Sequence, residues 1–117
     1  MTFPAPRRAA AVLALAAAPV AILATAGTNA TAAAGKTVVL KDIAFKPANV
    51  TISRGTTVTW RFDDNGTKHN VRSVGARRFK GSADKATGTH RVTFRRAGLY
   101  RYVCTLHLGM KGSVRVR

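Results

Sequence analysis

The chain contains no glutamate, and its four acidic residues, all aspartate, stand against 20 lysines and arginines. The resulting formal charge of +16 bears on solubility and partners rather than on fold. It points to anionic partners: an acidic protein, an anionic polymer, a membrane surface or nucleic acid. Cysteine is scarcer still, with Cys104 alone. An internal disulfide is therefore excluded, and the thiol is free, intermolecular or occupied by a ligand. There are only three histidines, so no second histidine cluster accompanies any site that they build. No internal repeat is visible. At 117 residues the chain is one domain at most.

Long apolar runs are confined to Ala9–Ala26, interrupted by Pro19 and Thr25. Arg7 and Arg8 precede this run, and small residues follow it at Ala24-Thr25-Ala26, Thr28-Asn29-Ala30 and 31–34. A positive start, an apolar middle and a small-residue exit describe a secretory signal peptide. Residues 1–34 are thus expected to be signal and short linker, and residues 35–117 the mature domain. The alternative, an uncleaved anchor, would use an alanine-rich core that is barely long enough to span a bilayer. The arginine pair hints at the twin-arginine route, but Ala9–Ala11 stand where a bulky apolar pair is wanted. No cysteine lies near the cleavage region to carry a lipid. Export places the protein in the periplasm, at the cell surface or outside the cell. It makes nucleic acid the least fitting partner. Membrane contact is then left to an uncleaved signal or to charge attraction.

From Thr37 onward apolar residues recur with period two between turn residues, which marks an all-β domain. A first strand is expected over Val38–Phe45, broken by Lys46-Pro47-Ala48-Asn49. Val50 and Ile52 continue to a turn at Arg54-Gly55. In the clearest strand Val58, Trp60 and Phe62 share one face, and Asp63-Asp64-Asn65-Gly66 closes it as a turn. His69-Asn70-Val71 opens a short segment. The connection 73–88 shows no regular pattern, and Phe79 is its one candidate core residue. His90–Arg95 and Leu99–Cys104 alternate again, and Val114 and Val116 mark a last strand. Seven or eight short strands in a chain of this length imply a sandwich or barrel. Arg61, Arg91, Arg95, Arg101, Arg115 and Arg117 fall on outward positions, either as a solvated face that also blunts sheet edges or as a dedicated anion-docking surface.

The scarce residues then converge. Cys104-Thr-Leu-His107-Leu-Gly-Met110 sets a thiol, an imidazole and a thioether two residues apart, a set of soft and borderline ligands that suits copper. Three such side chains cannot converge from one strand face. They meet if Cys104 ends a strand and the next residues curl around an ion. His69, which follows a turn about 35 residues upstream, is the natural fourth ligand. Metal ligation also answers the liability of a lone thiol in an oxidising space. His90 starts a strand as an ordinary surface residue, and Trp60 and Tyr102 are core.

Gly98-Leu-Tyr100-Arg-Tyr102-Val-Cys104-Thr-Leu-His107-Leu-Gly-Met110-Lys-Gly112-Ser-Val114 closely resembles the copper-site end of the cupredoxins, the blue copper proteins. The two-residue gap from His107 to Met110 is similar to that of amicyanin and shorter than that of plastocyanin. Val58-Thr-Trp60 and His69-Asn70-Val71 resemble the family's upstream motif. The resemblance covers about Val38–Val116. It implies a Greek-key β-sandwich with one copper ion at one end, His69, Cys104 and His107 as equatorial ligands and Met110 as a long axial one. It also implies that Asn70 bridges the two ligand loops, with Thr105 as its partner and its own amide aimed at the sulfur. The usual proline between Cys and His is Leu106 here, whose restored amide is expected to reach the Cys104 sulfur. Lys68 stands where a proline often precedes the first ligand, Phe62 replaces a frequent asparagine, and the span from Trp60 to His69 is one residue longer.

The function implied is that of an exported one-electron carrier, not an enzyme. Electrons would pass the solvent-facing edge of His107 through an apolar surround of Leu106, Leu108 and Met110. The chain is expected to be a monomer, and its basic surface to select a redox partner with an acidic docking surface. The alternative is copper handling, storage or delivery, on the same ligands.

Overall fold

The computed structural model describes residues 35–117; the expected signal segment lies outside the described residues. Eight strands carry the alternation: β1 (Lys36–Lys41), β2 (Ala44–Lys46), β3 (Asn49–Ile52), β4 (Thr56–Phe62), β5 (Arg72–Val74), β6 (Thr89–Phe94), β7 (Gly98–Val103) and β8 (Lys111–Val116). They form two four-stranded sheets, ordered β2-β1-β4-β6 and β3-β8-β7-β5. The β1/β4 and β3/β8 pairs are parallel and the others antiparallel, so the chain crosses between sheets in the Greek-key manner. No helix occurs among the described residues.

The first strand expected from sequence is two strands. Lys41 pairs with Ala44 across a two-residue turn in which Asp42 and Ile43 have φ of 55° and 53°. Positive φ at both central positions is the tight hairpin turn that matches strand twist. A β-branched residue is rarely found there. The Asp64 carboxylate offsets the strain by accepting the Asp42 amide at 3.1 Å and the Ile43 amide at 3.0 Å.

One face of each sheet is apolar, and the two faces bury each other. Val38, Leu40, Val58, Trp60, Phe62 and Phe94 come from the first sheet, and Val50, Ile52, Tyr100, Tyr102, Val114 and Val116 from the second. Trp60 lies at the centre, stacked on Phe79 at 5.6 Å and met edge-on by Tyr102 at 5.4 Å. Phe79 is thus the core residue of the unpatterned connection. Burial pushes the Tyr102 hydroxyl up to about 12, and the nearby Trp60 N–H works in the other direction. His90 is half-buried rather than superficial. Its ring lies 5.8 Å from Trp60, and Nε2 donates to the Lys80 carbonyl.

The alternation that buries Tyr100 and Tyr102 continues one residue past β7, so Cys104 also points inward. This parity aims the lone thiol at the end of the sandwich rather than into solvent.

Candidate metal centre

Cys104 meets two imidazoles there. Its Sγ lies 3.8 Å from His69 Nδ1 and 3.6 Å from His107 Nδ1. The three ligand atoms all lie within 4.8 Å of one another. Two donors bonded to one ion at about 2.0–2.3 Å, spread around it, end up roughly 3.5–4 Å apart. The two sulfur–nitrogen separations have that size. His69 is fully buried, Cys104 nearly so, and His107 half-buried.

Asp64 orients the first imidazole. His69 Nε2 and Asp64 Oδ2 are 2.8 Å apart in a buried pair. An ionised carboxylate only accepts, so Nε2 carries the proton and Nδ1 turns a lone pair toward the sulfur. The hydrogen bond from His69, then that from the Ile43 amide, holds the Asp64 carboxyl below its usual range. The hairpin turn, Asp64 and His69 therefore form one chain of contacts. From sequence Asp63-Asp64-Asn65-Gly66 reads as a turn and nothing more, so this role of Asp64 was missed. Asp64→Asn is expected to lower copper affinity about 10–100-fold, the range found when such partners of ligating histidines are removed. A copper titration against a competing chelator measures it; unchanged affinity would mean that Asp64 only staples the turn.

The segment that carries His69 is zipped to the connection. His69 and Lys85 exchange both backbone hydrogen bonds at 2.9 Å, and Val71 pairs with Ser82 through backbone and hydroxyl. Asn70 is nearly fully buried and ties the loops together. Its Nδ2 donates to Thr105 Oγ1 at 2.8 Å and to Asp84 Oδ1 at 2.9 Å, and its Oδ1 accepts the Thr105 amide at 3.0 Å. Ser82 and Asp84 were also missed, because nothing periodic marks residues 73–88.

The loop after Cys104 closes on itself. The Cys104 amide donates to the Met110 carbonyl at 2.9 Å and the Met110 amide to the His107 carbonyl at 3.2 Å, with Gly109 at φ 82° making the return. Cys104, His107 and Met110 line one hollow of about 520 Å³. Met110 is buried and adds almost nothing to the surface, while Leu106 and Leu108 beside His107 are exposed. The contacts that Sγ makes with the two Nδ1 atoms join both ligand loops. The turn at Thr105-Leu106 carries Leu106 to the outside of the loop, 45% exposed.

A thiol and two imidazoles converging from two loops of a β-sandwich, with a thioether beside them, is a donor set fit for copper. A family model described as copper binding proteins, plastocyanin/azurin family, matches residues 32–117. The chain belongs to this family. Halocyanin of Natronomonas pharaonis is 40% identical over 76 residues, which is 61% of this chain and 47% of that protein. The chain thus matches about half the length of this relative. A purple cupredoxin from Nitrosopumilus maritimus superimposes with a TM-score of 0.64 at 25% identity, over 70% of this chain and 99% of that one. A reduced amicyanin variant does so with a TM-score of 0.59 at 27% identity, over 71% and 82%. The copper-site likeness, the two-sheet fold and copper as the cofactor are in agreement with this family.

Proposed function

We propose that this cupredoxin is an exported, monomeric one-electron carrier that holds one copper ion through His69, Cys104 and His107, with Met110 as the weaker fourth ligand. The observation that carries the reading is the approach of His69 Nδ1 and His107 Nδ1 to the one thiol, at 3.8 and 3.6 Å, inside a rigid frame. Copper, when bound, supplies a Cu(II)/Cu(I) couple to which thiolate, thioether and imidazole are together suited. The chain's own residues do the rest. Asp64 fixes the His69 ring, the Asn70–Thr105 pair locks the two loops, and the end of β7 sets Cys104, so the donors have little freedom to rearrange.

Burial of His69, Cys104 and Met110 keeps water from the donors. His107 is the half-buried member, and its ring edge, between exposed Leu106 and Leu108, is the way in for an electron. No catalytic step is assigned to the chain. The partner proposed is a redox protein with an acidic docking surface, which the cationic chain would meet fastest at low salt.

One equivalent of Cu(II) added to the purified protein should produce an intense blue thiolate-to-copper absorption. A reductant should bleach it and an oxidant restore it over repeated cycles in the presence of a mild chelator. Colour lost to the chelator at once would defeat the carrier reading and favour copper handling on the same ligands.

A further inference from the structure

We propose that the outer face of the second sheet, centred on Arg101, is a docking surface for an acidic, protruding segment of a protein partner. That this partner is a redox protein rests on the carrier reading above; the surface itself does not.

Strand register builds the face. Arg72 pairs with Val103, Val103 with Lys111, Arg101 with Ser113 and Leu99 with Arg115. Arg101 therefore has Arg72, Lys111 and Arg115 each on a diagonal, at about 7–8 Å between backbones. All four side chains are exposed. Like charges this close on one sheet face oppose folding. A neighbouring carboxylate would relieve them, and none does so. The chain's four aspartates are engaged elsewhere: Asp42 with Lys46, Asp63 with Arg61, Asp64 with His69 and Asp84 with Asn70.

The other sheet shows the contrast. On its outer side Arg61 faces Asp63 at 3.8 Å and Arg91 donates to Thr59 Oγ1 at 3.4 Å. Its cations are at least partly answered within the molecule. Those of the second sheet are left for something outside it.

Shape narrows the occupant. A groove of about 620 Å³ runs along this face, with half-buried Val74, Leu99 and Val103 in its walls and Arg101 and Lys111 beside them. Apolar walls with an arginine beside them are the make-up of a protein interface. A concave groove receives a protruding segment, whereas a bilayer presents a plane. The groove shares Val103, Gly109 and Lys111 with the hollow that holds Cys104, His107 and Met110. A partner seated there would therefore adjoin the metal centre.

The test titrates the isotopically labelled protein with poly-L-glutamate at low salt, following backbone amide shifts. Shifts are expected to concentrate at Arg72, Leu99, Arg101, Ser113 and Arg115. Arg101→Gln combined with Arg115→Gln should weaken binding about tenfold or more. Arg91→Gln combined with Arg95→Gln, which removes the same charge from the other sheet, should leave affinity near wild type. Equal weakening by both pairs would overturn the proposal by showing an effect of net charge alone. So would shifts spread over both sheets, or phosphatidylglycerol vesicles binding through Arg101 where poly-L-glutamate does not. Copper colour is read separately on the same samples, so a colourless wild type would sink the carrier reading while the shift map still judged the surface.

Discussion

Cys104→Ser should leave the sandwich folded and unable to take up copper with colour. The side chain is buried at the end of β7, and serine nearly matches its volume. A buried hydroxyl in its place costs about 1–3 kcal/mol if it finds no partner. Here it faces two imidazole nitrogens that were within reach of the sulfur. The strand pairing is untouched and the substitution lies at the end of the core, so circular dichroism should match wild type. What goes is the thiolate, the only sulfur anion the chain can offer. The visible band should vanish altogether, and copper affinity should fall by more than the roughly 10–100-fold caused by losing an outer partner of a ligand. A blue Cys104→Ser protein would show that the colour arises elsewhere.

The largest stability effect is expected at Trp60. It is fully buried and touches the rings of Phe79, His90, Phe94 and Tyr102, so it joins both sheets to the connection that backs the first ligand. Truncating a buried tryptophan to alanine costs about 3–5 kcal/mol. Small domains hold about 5–15 kcal/mol in all. Each kcal/mol is worth roughly 4–8 °C of Tm at this size. Trp60→Ala should therefore lower Tm by about 12 °C or more. Copper should return part of the loss, because an ion that binds only the folded state stabilises it by mass action. A fall of only a few degrees would mean that the aromatic cluster repacks without its central ring. Trp60→Phe should lie between the two proteins.

The features legible in sequence were those carried by one short run or by strict alternation. Cys104, His107 and Met110 share a seven-residue loop, and the parity of Tyr100, Tyr102 and Cys104 already aims the thiol inward. The face of Val58, Trp60 and Phe62 follows the same way. What escaped depends on contacts between segments far apart. Asp64 looks like turn chemistry because its partners, His69 and the Asp42-Ile43 amides, are brought to it only by the fold. The β1–β2 turn was hidden because Ile43 extends an apolar run, and its amide, at a positive φ, bonds to Asp64 from a distant turn. Ser82, Asp84 and Lys85 hold His69–Val71 from a stretch without period.

The ligand set itself is tested most directly by X-ray absorption at the copper edge of the loaded protein. One sulfur and two imidazole nitrogens at short distance are expected, about 2.0–2.3 Å by analogy with other thiolate and imidazole sites, with the sulfur lost in Cys104→Ser. A first shell of nitrogen and oxygen alone would contradict the assignment of Cys104, and with it the proposed carrier.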